Sequence, residues 1–146
     1  MTITFASFIF AFLFLFRAVQ KNTFFILYAT TMILTAYYCE SQLGWHVKPF
    51  SKAAIMLFVL FHLPLINFFT FIAYGRDKKC AQKGEWRIPE VQLHTLELLG
   101  GTIGAIIGQN FFHHKRKKKS YMATFFATIF IQLGAIFYIL HALKFL

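Results

Sequence analysis

The fold class that the sequence predicts is an all-α, polytopic helical membrane protein: four full spans plus a glycine-broken helix at 88–112 that re-enters or makes a fifth crossing. Three observations lead to it. Of the 146 residues 58% are hydrophobic, and Phe alone occurs 21 times. A soluble domain of this size hides only about 60–70% of the surface its unfolded chain exposes, too little for such a composition. Apolar runs of spanning length recur along the chain, and they are apolar all round rather than striped, as in helices buried in lipid or in a large core. Finally, nearly all of the non-apolar chemistry is confined to the stretch from Tyr74 to Tyr121.

The first run covers residues 3–19. It lacks a basic leader and a convincing cleavage site, so it is expected to be a retained anchor rather than a signal peptide. The polar turn Arg17-Ala-Val-Gln-Lys21-Asn joins it to a second run at 23–39, making a helical hairpin. Residues 40–52 form a loop with Gly44, Trp45 and Pro49, Trp45 being suited to the membrane interface. The third run, 53–74, contains Pro64, a kink that neighbouring helices can accommodate. The last run is 121–143. Each approaches the length that about 30 Å of hydrocarbon demands. The chain reads as one membrane domain, 1–146, with residues 1–50 as an accessory hairpin and loop.

Residues 88–112 are long enough to span, but the distribution of bases argues for re-entry. If the segment dips in and returns, Arg17, Lys21, the five bases of 75–87 and the five of 115–119 share one side, leaving Lys48, Lys52 and Lys144 on the other: twelve against three. A crossing segment would give eight against seven and no bias. Cytoplasmic loops carry the excess of Lys and Arg, so the basic face is expected in the cytoplasm of a bacterial inner membrane, in a multi-pass protein. Gly100-Gly101 is the natural break between two half-helices.

The net charge of +10 reports first on orientation and contact with anionic headgroups, and next on nucleic acid. Cys39 and Cys80 lack metal-ligand spacing and are expected to be free thiols. Between Tyr74 and Glu90, Asp77 beside Lys78 and Arg87 near Glu90 could pair charges, with Pro89 and Glu90 opening a helix. The competing reading is a solvated loop. Glu90, His94, Glu97, Gly101, Gly104 and Gly108 line one face of a continuous helix. Gly100, Gly104 and Gly108 form a small-xxx-small pattern through which a homo-oligomer could pack. His94 and Glu97 lie at membrane depth, where ionisable groups are costly and are functional candidates; the alternative is an interfacial pair of Glu97 with a loop lysine. Glu90, His94 and Glu97, with His62, His113 or His114, offer metal donors, but no His-Glu-x-x-His spacing. No metal and no cofactor are expected. His62 reads as a hydrogen-bonded helix histidine. The run from His113 to Lys119 is an orientation signal or a phosphate-binding strip. No nucleophile elbow, Walker loop or dinucleotide fingerprint is present.

In order and spacing, Tyr74, Asp77-Lys78, Ala81, Arg87-Ile-Pro-Glu90, Leu93, Gly100-Gly101, Gly104, His114-Lys115, Lys118 and an aromatic at 121 follow one pattern. It resembles the small bacterial membrane family known as domain of unknown function twelve ninety-four, some members of which carry a cold-shock nucleic-acid-binding domain ahead of the membrane part. The resemblance covers roughly residues 55–140, so that 53–146 is the family core, and a Phe-rich hairpin stands outside it. It implies that Asp77, Lys78, Arg87, Glu90, Gly100, Gly101, His114, Lys115 and Lys118 form one unit, brought to one face by re-entry. Lys78, Arg87, Lys115 and Lys118 would hold phosphate, and His114, Glu90 or Asp77 would be the acid or base if the protein is an enzyme.

Three functions follow from these residues. The first is a non-enzymatic module binding an anionic partner, lipid headgroup or nucleic-acid phosphate. The second is a hydrolase or transferase acting on a phosphorylated or lipid-linked substrate, and the third a small transporter using Glu97 and His94.

Overall fold

The computed structural model describes residues 1–16, 20–115 and 117–142, and among these every regular element is helical. Arg17, in the first expected turn, and Arg116, in the basic run, lie outside the described residues. In chain order the helices are α1 (Thr2–Leu15), α2 (Thr23–Ser41), α3 (Lys52–Lys83), α4 (Glu90–Leu96), a π-helical turn (Glu97–Gly101), α5 (Thr102–Phe111) and α6 (Lys119–Ala142).

Local chemistry sets the boundaries. Asn22 caps α2 by accepting from the Phe24 and Phe25 amides, and Ser51 caps α3 by accepting from that of Ala54, satisfying donors that a helix start leaves open. α3 runs on through Pro64, well past the apolar run that ends at Tyr74, until Gly84 adopts the left-handed conformation (φ 70°) that closes helices.

α3 and the Lys119–Tyr138 part of α6 are the two helices long and apolar enough to cross a membrane. The most apolar windows of both are only 22% and 17% buried within the molecule, unlike the core helix of a soluble protein. Four full spans were expected. The first hairpin falls short of that expectation for two reasons. α1 has 14 residues, about 21 Å at 1.5 Å per residue against about 30 Å of hydrocarbon. α2 is interrupted by Thr30, Thr31, Thr35, Tyr37 and Tyr38.

Large apolar side chains lie on the outside as well as in the core, and several polar groups are buried. Outward faces carry Phe14, Met56, Leu60, Phe68, Phe130 and Phe137, while Asp77, Glu97, Thr70, Tyr74 and Tyr121 are inside. At one end the core is aromatic: Phe5 and Phe8 of α1 meet Phe58 of α3 edge-on and stacked, and His62 stacks on Phe58.

The segment from Ile88 to His114 forms a hairpin against α3. Its first arm starts where the Ile88 amide donates to Asp77 (3.1 Å), and it rises until Leu99 O meets His62 Nε2 at 2.7 Å. There Gly100 takes φ 111°, ψ 1°, a conformation reserved for glycine. The second arm returns past Asn67 and Tyr74, and His114 Nε2 reaches Asp77 at 2.6 Å. Both ends therefore lie level with Asp77.

The broken backbone at the tip is satisfied from neighbouring helices. Asn67 donates to Gly100 O (3.0 Å) and accepts from the Gly104 amide (2.7 Å). Gln132 of α6 donates to the Glu97 and Leu98 carbonyls at 2.6 and 3.1 Å and accepts from Thr102 Oγ1 at 2.6 Å. Buried irregular backbone requires partners of this kind.

The glycine face expected to receive a second copy is filled by α3 of the same chain. A Cβ at Gly101 would meet Thr70 Oγ1, one at Gly104 the Asn67 carbonyl oxygen, and one at Gly108 the Tyr74 Cβ at 2.9 Å. The small residues here serve an intramolecular crossing.

Candidate functional site

Two polar clusters lie along the hairpin. The outer one centres on Asp77, whose side chain is fully buried. Its Oδ2 receives Arg87 Nη2 at 3.2 Å and His114 Nε2 at 2.6 Å, with Lys115 Nζ 3.6 Å away, while Oδ1 accepts the Ile88 amide. Glu90, at the start of α4, accepts from Lys115 Nζ at 3.0 Å and from Lys118 Nζ at 2.8 Å. Lys115 thus links both acids. Only 4% of its side chain is exposed, and its ammonium lies 4.8 Å from the Tyr121 ring centroid, a cation–π contact. The loop reaches this geometry with His113 and Lys115 both at positive φ (48° and 61°), uncommon for residues with a Cβ.

The pairing differs from the one read off adjacency. Arg87 joins Asp77 rather than Glu90, and Lys78, half-buried on α3, makes no ion pair among the described residues. On a helix, neighbours in sequence point in different directions, so Asp77 and Lys78 cannot share a face. The cluster therefore brings together Asp77, Arg87, Glu90, His114, Lys115 and Lys118 of the expected unit, and leaves out Lys78.

An open cleft of about 450 Å³ lies over this cluster, walled by Arg87, Glu90, His114, Lys115, Lys118 and the exposed Lys117. The four cations Arg87, Lys115, Lys117 and Lys118 outnumber the carboxylates Asp77 and Glu90, so the cleft keeps a positive balance. Lys118, bonded to Glu90 and helped by Lys115, holds the Glu90 carboxyl below the usual carboxylate range. Burial pushes the His114 imidazole down, and the Asp77 bond opposes this without overcoming it. A neutral His114 donates Nε2–H to Asp77, which leaves Nδ1 as an acceptor; among the described residues Nδ1 has no hydrogen-bond partner.

The inner cluster is built on Glu97, fully buried in the π turn. Its Oε1 accepts from the hydroxyls of Tyr74 and of Tyr121 (2.9 Å for the latter), and Oε2 faces His94 Nδ1 at 2.7 Å. Tyr74 and Tyr121 also touch hydroxyl to hydroxyl, Gln109 donates to Tyr74 at 3.2 Å, and the His94 ring stacks on Tyr121 with centroids 4.2 Å apart. The partner of Glu97 is therefore no loop lysine. One turn of hairpin further, His62 bridges Tyr28 Oη (2.5 Å) and Leu99 O, hydrogen-bonded as expected, though across three helices. Sequence reading missed Asn67, Gln109 and Gln132: isolated amides among apolar residues give no periodic signal, and only the cost of burying them without partners marks them.

Cys39 and Cys80 are free and buried. Among the described residues no three His, Cys, Asp or Glu side chains are grouped to hold a metal ion.

No solved structure matches this chain. The Uncharacterized protein YsdA of Bacillus subtilis (strain 168) is 38% identical over 60 residues, 41% of this chain and 67% of that protein. A family model matches residues 67–121, narrower than the resemblance at 55–140. The matched stretch begins at Asn67 and ends at Tyr121, and it contains Asp77, Glu90, Glu97 and their cationic and phenolic partners. The chain belongs to the family described as Protein of unknown function (DUF1294).

Proposed function

We propose that this is a multi-pass protein of the bacterial inner membrane whose cytoplasmic basic cleft binds a phosphate-bearing anion, without acting on it. In this reading four helices cross, residues 88–112 re-enter from the cytoplasmic side, and α2 and α3 extend into the headgroup region. Support for re-entry comes from the hairpin returning to the level of Asp77. The observation that carries the function is the cleft itself. Arg87, His114, Lys115 and Lys118 converge with Lys117 from two loops, the first four oriented by the fully buried Asp77 and by the half-exposed Glu90, and only part of the charge is neutralised. Lipid headgroups and nucleic-acid backbones present the same phosphate chemistry to such a site.

The test is equilibrium binding of a fluorescent phosphate-bearing ligand to the protein in neutral detergent. Changing both Lys117→Gln and Lys118→Gln is expected to weaken binding about thirtyfold, since each base contributes roughly 1 kcal/mol against an anionic surface. Lys118→Arg should bind nearly as well as the wild type. Equal binding by the double variant would rule out the cleft.

A second reading rests on the 2.6 Å His114–Asp77 bond. Asp77 fixes the tautomer that leaves His114 Nδ1 able to take a proton from water attacking a bound phosphate ester. It requires phosphate release from a phosphomonoester by the wild type that His114→Ala abolishes while binding persists. Transport has less support: above His62 the polar ladder ends against Phe5, Phe12 and Phe58.

A further inference from the structure

We infer that the bound anion is one glycerophospholipid, entering sideways from the bilayer, with its phosphate at Arg87 and its glycerol and upper acyl chain in the groove between α2 and the 86–89 loop. This rests on the anion-binding reading and narrows it to a membrane lipid.

The cleft is not closed toward the bilayer. On the other side of the 86–89 loop a groove of about 330 Å³ runs between Phe24 and Leu27 of α2 and Trp86, Ile88 and Pro89. A third depression, of about 390 Å³, shares Trp86 and Ile88 with this groove and Glu90 and Lys115 with the cleft. Arg87 lines all three. Polar and apolar depressions thus adjoin one another around one guanidinium.

That guanidinium is half exposed and commits only Nη2 to Asp77 among the described residues. Its remaining donors suit the paired oxygens of a phosphate. Arg76, exposed at the groove rim, makes no ion pair among the described residues. Trp86 is 92% exposed and Leu27 48%. An indole in that position belongs at headgroup depth, with its apolar body toward lipid.

A free phosphate would use only the polar end, and a nucleic-acid backbone would lay charge across Leu27 and Pro89. A phospholipid matches both ends. Its acyl chain already lies in hydrocarbon and every phospholipid carries a phosphate, so selectivity must come from a phosphate whose charge no choline cancels, drawn to Arg87 and Arg76.

The test uses Trp86 as its own reporter. The chain has two tryptophans, and Trp45→Phe leaves Trp86 alone. The protein is placed in phosphatidylcholine bilayers holding a few mole per cent of either phosphatidic acid or phosphatidylcholine with brominated chains, which quench on contact. Brominated phosphatidic acid is expected to quench about tenfold more per mole, the ratio given by a 1.4 kcal/mol preference. Arg87→Gln should abolish the preference. Because Arg87 also supports Asp77, Arg76→Gln is the second variant and should lower it severalfold with the fold untouched. Lys79→Gln removes the same charge from the same end without lining the groove and should leave the preference intact.

Equal loss in Lys79→Gln would mean unspecific attraction and overturn the site. No preference in the bilayer, while glycerol phosphate or a labelled oligonucleotide still binds the protein in detergent, would overturn the lipid assignment and leave the anion cleft standing. Absence of both would overturn the two together.

Discussion

At the residue scale, the two acids at the heart of the clusters are stabilised differently. Asp77 is surrounded by a guanidinium, an imidazole and an ammonium, whereas Glu97 is held by two phenols and an imidazole. Removing one partner of a buried charged group is expensive because the other is left unpaired. Glu97→Leu is expected to lower the stability of the detergent-solubilised protein by about 1–3 kcal/mol for each phenol left without its acceptor. Tyr121→Phe, which removes one donor, should cost about 1.5–3 kcal/mol; thermal unfolding measures both. Glu97→Leu unfolding at the wild-type temperature would show that the phenols find other acceptors. Titration adds a second check. With His114 lowered below 6.5, the unfolded chain takes up the proton first, so stability is present above that value and is lost as pH falls through it. With Glu90 lowered below 4.5, a further loss follows only as pH falls below that value. The melting temperature should therefore decline in two steps on acidification, and His114→Gln should diminish the first while the second persists.

The glycines act at the scale of the element, and they act by different means. At Gly100 an added Cβ finds His62 and Leu63 at 3.4 Å, ordinary contact, so the penalty of Gly100→Ala lies in the backbone at φ 111°. Such strain costs of order 1–3 kcal/mol. At Gly104 the obstacle is the Asn67 carbonyl of α3, which cannot swing aside as a side chain can. Gly104→Ala is therefore expected to destabilise more than Gly100→Ala, and Gly134→Ala, with nothing near it, hardly at all. Thermal unfolding of the three variants gives that order, and an equal loss at Gly134, where helix propensity favours Ala, would mean that close approach to α3 does not set the scale. The hairpin also explains why this stretch looked ambiguous in sequence. Its 25 or so residues, 88–112, suffice for a span by length alone, and a single positive φ decides the direction in which α5 leaves.

At the scale of the whole molecule, the basic loops at the open end of the hairpin make the proposed topology testable. The expectation is that Cys reporters at Gln82 and Ser120, on a functional variant freed of Cys39 and Cys80, are both shielded from an impermeant thiol reagent in intact cells and both labelled after permeabilisation. Labelling of one loop alone in intact cells would mean that residues 88–112 cross, and the reading of a shared cleft on one side would fall. The outward Phe, Leu and Ile of α3 and α6 are what makes these two helices apolar enough to cross a membrane.

Composition and periodicity by themselves determined the helical class, the apolar runs, the break at Gly100-Gly101 and the concentration of chemistry between Tyr74 and Tyr121. These follow from local rules: hydropathy over a helix length, and the dihedral freedom of glycine. Partnership was decided by tertiary structure. Asp77 took Arg87 and His114 instead of its neighbour Lys78, Glu97 took Tyr74 and Tyr121 instead of a lysine, and the glycine face took α3 instead of a second copy. Such pairings depend on which side chains a folded hairpin brings within 3 Å or so, over separations of up to 47 residues in the chain. A charge count carries no term for that distance, whereas a buried carboxylate, costly without partners, requires it to be closed.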